Sequence, residues 1–166
     1  MVDDAEIPRG VAEMGDREEA IVHFDGACQP ARGGGVATYG FTIDSAHGHI
    51  EDAGLAVPPG AVHATNNVAE YCGAIRALEQ LLGDGYRGRV IVRGDSQLVI
   101  RQMTGEYEVR AEHLVAYRER LRQLLAAFSL VRFEWIPRDE NQRADELSKR
   151  ALADELHRSG RLRGPD

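Results

Sequence analysis

Hydropathy along this chain passes from strand alternation to helical spacing at Thr65, and that switch limits the fold more than any other feature. Before it, short β-prone runs are separated by turns. Ile21-Val22-His23-Phe24 ends in Asp25-Gly26, a turn-rich stretch runs from Gln29 to Gly35, and Ala37, Tyr39, Phe41 and Ile43 then alternate with smaller residues. A third run covers residues 48–57 and is closed by Pro58-Pro59-Gly60. Period-two alternation with Gly and Pro punctuation predicts strands, here an antiparallel meander.

After Thr65 the apolar residues Val68, Cys72, Ile75, Leu78 and Leu82 recur at helical spacing and form one stripe. Thr65 or Asn66 can cap this helix, and Gly83 and Gly85 can end it. Val90-Ile91-Val92 is a continuous apolar run up to Gly94-Asp95, as in a buried parallel strand. Residues 98–103 suit a short helix, and Leu114, Leu121, Leu125 and Phe128 mark a longer one. A fifth strand is expected over 130–136, stopped by Pro137, and a last helix capped by Asn141 carries Ala144, Leu147, Ala151 and Leu156. The order βββ-α-β-α-α-β-α predicts a single α/β domain over residues 20–158. Its sheet would be mixed and five-stranded, with the first three strands antiparallel and helices flanking it.

Charge needs to be divided before it is interpreted. The net charge is −7, but the first twenty residues alone hold seven acids against two arginines. Residues 1–19 read as a disordered acidic tail and 159–166 as a short C-terminal one. The remainder is close to neutral, which leaves a nucleic-acid partner open without advertising a basic face. No apolar run approaches the ~18 residues of a membrane span. Cys28 and Cys72 form neither a CxxC pair nor a disulfide framework. A reduced, cytoplasmic monomer without a membrane partner is the expectation.

Four acids stand where folding alone does not call for them. Asp25 and Asp95 end the first and fourth strands, and Glu70 and Asp145 lie near the starts of two helices. If those strands are parallel neighbours, Asp25 and Asp95 meet at a switch point, where open sheets bind ligands. Clustered carboxylates repel one another, and an oxygen-only donor set relieves this by holding Mg²⁺ or Mn²⁺. Two such ions ~4 Å apart would clamp the attacking and leaving oxygens of a phosphodiester displacement. Each acid taken singly also has a plain structural reading, through the helix macrodipole or an Asp-Gly turn.

The surroundings of these acids are more specific. Phe24-Asp25-Gly26-Ala27-Cys28, Thr65-Asn66-Asn67-Val68-Ala69-Glu70-Tyr71, Gly94-Asp95-Ser96-Gln97-Leu98-Val99, and Trp135-Ile136-Pro137-Arg138 followed by Asn141 to Asp145 stand in that order. They resemble the motifs of type 1 ribonuclease H, most of all its short archaeal and related bacterial members. The resemblance implies that Asp25, Glu70, Asp95 and Asp145 hold two Mg²⁺ ions and cut the RNA strand of an RNA–DNA hybrid, leaving 5′-phosphate and 3′-hydroxyl ends. Asp25 would bridge both ions, Asp145 would help hold the one that activates water, and Glu70 and Asp95 the one at the leaving oxygen. It further implies that Asn66, Asn67 and Gln97 reach the minor groove, and that the backbone of Gly26, Ala27 and Cys28 and the Glu70 carboxylate contact 2′-hydroxyls. Thr65 would grip a phosphate of the DNA strand, a role compatible with capping.

Two departures from longer members stand out. Nine residues separate Trp135 from Asp145, with no histidine among them, and Arg138 takes that segment as a candidate for scissile-phosphate positioning. An arginine paired with Asp139 or Glu140 on a surface turn is the equal alternative. The basic protrusion is also missing: residues 104–110 hold one base and two acids, which weakens expected hybrid affinity. Cys72 reads as a packed thiol, and no GK[ST], HExxH or GxSxG pattern is present. Other RNA-containing duplexes are compatible substrates. A hybrid- or RNA-binding module that keeps the fold without cutting is the alternative function, and a transposase- or integrase-like nuclease is a second.

Overall fold

The computed structural model describes residues 18–30 and 34–160. The acidic tail expected over 1–19 lies outside them except for Glu18 and Glu19, as does most of the tail at 159–166.

The three period-two runs form an antiparallel meander: β1 (Glu19–Gln29), β2 (Val36–Ser45) and β3 (Gly48–Leu55). β4 (Arg89–Gly94) and β5 (Leu130–Trp135) add in parallel on the other side of β1, giving the order β3-β2-β1-β4-β5. The mixed five-stranded sheet expected from the sequence is the one observed. β1 is longer than its apolar run suggests. Its parallel pairing with β4 ends at His23↔Arg93, but its antiparallel pairing with β2 continues to Gln29↔Val36. Asp25, expected to end the first strand, therefore sits inside β1, at the point where the strand loses its β4 neighbour on one side.

The helical stripes form α1 (Asn66–Gly83), α2 (Gln97–Met103), α3 (Glu112–Leu125) and α4 (Gln142–Arg158). Thr65 caps α1 by accepting from the Val68 amide at 3.3 Å, and Ser96 caps α2 by accepting from the Val99 amide at 3.2 Å. Two expectations about the helices are also corrected. Phe128 lies beyond the end of α3, in the turn before β5, where it still packs into the core. Asn141 occupies the N-cap position of α4, but its side chain makes no cap bond.

α1 covers one face of the sheet, with Val68, Tyr71, Leu78 and Leu81 packed against Phe24, Phe41, Val90 and Val92. Cys72 is buried among these residues, as expected of a packed thiol, and burial pushes its pKa up to about 12. α4 covers the opposite face. A buried bond from the Thr38 hydroxyl to the Ser148 carbonyl (2.7 Å) anchors it to β2, and Arg143 ties its first turn to Glu51 of β3 (Nη2–Oε1 2.7 Å).

Glycines set how closely these layers meet. A Cβ at Gly26 would stand 2.5 Å from the Glu70 amide nitrogen, and one at Gly40 would stand 2.7 Å from the Ser148 amide nitrogen. Both are backbone contacts that cannot swing aside, so α1 lies directly on β1 and α4 directly on β2. Gly40→Ala is therefore expected to cost about 1–3 kcal/mol in urea unfolding, as overpacking does. Gly83→Ala, which points into open space at the end of α1, should be neutral or stabilising by up to about 1 kcal/mol. Equal stability of the two variants would contradict this packing.

Candidate active site

Beyond the last β1–β4 pair the sheet opens, and three acids close over the gap. One carboxylate oxygen from each of Asp25, Glu70 and Asp95 lies within 4.8 Å of the others. Asp25 projects from β1 and Glu70 from the second turn of α1, while Asp95 follows β4 directly. Asp25 is 4% exposed and Glu70 6%. The Gly26 amide donates to Asp25 Oδ1 at 2.8 Å, whereas Glu70 Oε2 is buried with no hydrogen-bond partner.

Burial and proximity act on these groups in the same direction. Desolvation, then the Asp95 charge, push the Asp25 carboxyl up to about 7; the Gly26 amide opposes this, and Asp145 adds to it. Desolvation, then Asp25 and Asp95, raise Glu70 well above the ordinary carboxylate range. Asp145, in the first turn of α4, lies near enough to act on both but stands outside the three-oxygen cluster. Its own carboxylate meets Lys149 one helical turn on (Nζ–Oδ2 3.0 Å) and Arg138 (Nη2–Oδ1 3.9 Å).

A cation would satisfy what the protein leaves open here. The donors are all carboxylate oxygens, one buried oxygen is unpartnered, and the cluster carries more negative charge than its neighbours offset. That chemistry fits a hard divalent ion. The described residues contain no other such cluster.

The remaining residues singled out in the sequence surround this gap. Gly26, Ala27 and Cys28 lie on the extension of β1, half-buried. The Cys28 thiol donates to the Ala64 carbonyl at 3.0 Å, which ties that extension to the start of α1. Asn66 and Asn67 are exposed in the first turn of α1, Gln97 is exposed at the start of α2, and Thr65 is engaged as a cap. Arg138 is 70% exposed in a short 3₁₀ turn (Arg138–Glu140), and its acidic neighbour is Asp145 rather than Asp139 or Glu140.

Contacts made by three side chains were not anticipated. Asn141 Nδ2 donates to the Phe24 carbonyl (2.9 Å) and to Asp95 Oδ1 (3.1 Å), and the Trp135 indole donates to the Asp95 carbonyl (3.2 Å). The Lys149–Asp145 pair is the third; its i,i+4 spacing was the signal available in the sequence.

Comparisons with known proteins agree with this geometry. Residues 23–151 match the family described as reverse transcriptase-like. A protein named ribonuclease HI from Halobacterium salinarum is 38% identical over 80% of this chain. The crystal structure of that organism's ribonuclease H1 superposes with a TM-score of 0.72 at 36% identity, covering 82% of this chain and 98% of that one. The N-terminal ribonuclease H domain of Rv2228c from Mycobacterium tuberculosis gives 0.75 at 29% identity, covering 86% and 99%. A third structure, LC11-RNase H1 in complex with RNA/DNA hybrid, gives 0.72 at 33% identity, covering 82% and 99%.

The chain belongs to the type 1 ribonuclease H family. It spans 63% of the length of the Halobacterium protein and 24% of the mycobacterial bifunctional protein Rv2228c. In this family member Asp25, Glu70 and Asp145 sit on three different elements and Asp95 on the turn after β4, and the described residues contain no helix long and apolar enough to cross a membrane.

The raised pKa of Asp25 has a thermal signature. Its folded-state value lies above the unfolded one, so the protonated form favours the fold. Ion-free stability is then lost as pH rises from about 4 through about 7. Asp25→Asn cannot ionise. By calorimetry without divalent ions it should melt several degrees above wild type near pH ~8 and close to it near pH ~4. Parallel melting curves for the two proteins across that range would contradict the strain assigned to Asp25.

Proposed function

We propose that this chain is an endoribonuclease that hydrolyses the RNA strand of RNA–DNA hybrids with divalent metal, Mg²⁺ first and Mn²⁺ as a substitute. The observation that carries the reading is the convergence of Asp25, Glu70 and Asp95, with a buried Glu70 oxygen left unpartnered, inside the motifs of this family. Support for the substrate comes from the hybrid-bound relative.

In this reading Asp25, Glu70, Asp95 and Asp145 would hold two ions, Asp25 serving both, Glu70 and Asp95 one of them and Asp145 the other. Such ions, when bound, offset the clustered charge, activate water and stabilise the leaving 3′ oxygen, which yields 5′-phosphate and 3′-hydroxyl ends. The chain's own part is placement. Asn66, Asn67 and Gln97, exposed around the acids, read the minor groove, while the backbone of Gly26, Ala27 and Cys28 and the Glu70 carboxylate contact 2′-hydroxyls and so select RNA. Thr65 offers its hydroxyl to a DNA-strand phosphate in addition to its cap. Arg138, free to swing on an exposed turn beside Asp145, steadies the scissile phosphate. The catalytic unit in this proposal is residues 20–158, acting as a cytoplasmic monomer, with other RNA-containing duplexes compatible with the same site.

Incubation of end-labelled hybrid with Mg²⁺, Mn²⁺ or chelator tests the proposal. Cleavage of the RNA strand should require the ion, and Asp25→Asn or Asp145→Asn should lower it by more than ~100-fold, the scale of losing one charge-stabilising group. Wild-type-like turnover in either variant would remove that acid from the site. Retention of hybrid without products would favour the binding module.

A further inference from the structure

Asn141 is 1% exposed at the start of α4. Thr65 and Ser96, at the corresponding positions of α1 and α2, spend their side chains on helix amides. Asn141 does not. Its Nδ2 carries two hydrogens, and they go to the Phe24 carbonyl at 2.9 Å and to Asp95 Oδ1 at 3.1 Å. Both partners only accept, so the amide has one orientation, with Nδ2 towards them. Oδ1 is left buried and without a partner. The Asn141 backbone carbonyl in turn accepts from the Asp145 amide at 3.1 Å.

One residue thus touches three of the four acid-bearing positions: the peptide joining Phe24 to Asp25, the Asp95 carboxylate and the Asp145 backbone. An asparagine kept for helix stability would cap α4, and one kept for packing would not leave its carbonyl oxygen unsatisfied in the interior. We propose that Asn141 is a positioning residue that sets the spacing of the carboxylate cluster for divalent ions. It bridges the Phe24 carbonyl of β1 and the Asp95 carboxylate after β4, and so commits one Asp95 oxygen to the protein. The Trp135 indole fixes the same aspartate through its backbone carbonyl at 3.2 Å. This inference rests on the reading of the acids as metal ligands.

The test is the Mg²⁺ and Mn²⁺ dependence of the melting temperature, with calorimetric titration of Mn²⁺, on wild type, Asn141→Ala and Asn141→Ser. Groups that orient metal ligands are worth about 10–100-fold in metal affinity. Both variants should therefore need at least ~10-fold more ion for half-maximal stabilisation and for half-maximal cleavage, with KM for hybrid at saturating ion within about two-fold of wild type. Leu121→Ala, a core truncation in α3, is the control for general destabilisation: it should lower the melting temperature without moving the ion midpoint. If one Asn141 variant does not fold, the other supplies the measurement. Ion midpoints equal to wild type, or a shift matched by Leu121→Ala, would overturn the positioning role while leaving the metal reading intact. A wild-type protein that neither binds nor is stabilised by either ion would overturn both.

Discussion

A Cβ on Gly26 would stand 2.5 Å from the Glu70 amide nitrogen and 2.6 Å from the Ala69 carbonyl carbon, so the Asp25-Gly26 segment of β1 and the second turn of α1 approach as closely as backbone permits. Gly73, one turn further along α1, repeats the contact from the helix side: its Cβ would meet the Asp25 carbonyl oxygen at 3.0 Å. This approach brings Asp25 and Glu70 together against their mutual repulsion. Asp95 then follows from the parallel pairing of β4 with β1, and Asp145 from the close seat of α4 on Gly40. Apolar burial on both faces of the sheet holds the acids where their charges alone would separate them.

That arrangement explains why the site is strained without an ion and suited to one. Asp25 and Glu70 are buried deeply enough that desolvation is the largest influence on each, and each neighbouring carboxylate adds to it. The compensating charges are peripheral. Lys149, the only lysine of the chain, pairs with Asp145 from the exposed side of α4, and Arg138 reaches the same residue from an exposed turn. Neither of these pairings is with Glu70, whose second oxygen lacks any partner.

Much of this was legible in the residues. Among the described residues the apolar periods located the five strands and four α-helices, and the Asp25, Glu70, Asp95 and Asp145 motifs marked where those elements would meet. The parts that were not legible have physical reasons. β1 runs on to Gln29 because β2 supplies backbone partners to Gly26, Ala27 and Cys28, and small or polar residues in a half-buried strand carry no period-two signal. Asn141 looked like a cap because Asn before a helix usually is one. Its actual partners, Phe24 and Asp95, are 117 and 46 residues away and become neighbours only once the sheet has formed. Arg138 left two readings open, and its proximity to Asp145 rather than to Asp139 or Glu140 depends on the turn of chain between β5 and α4.

Asp25, Glu70 and Asp95 are proposed to share a divalent ion. Crystals of the protein grown with Mn²⁺, with anomalous scattering recorded near the manganese edge, test it most directly. The expected result is a peak within bonding distance of carboxylate oxygens from all three residues. A protein whose only manganese peaks lie at surface acids such as Asp44 or Glu146, with none between these three, would contradict it.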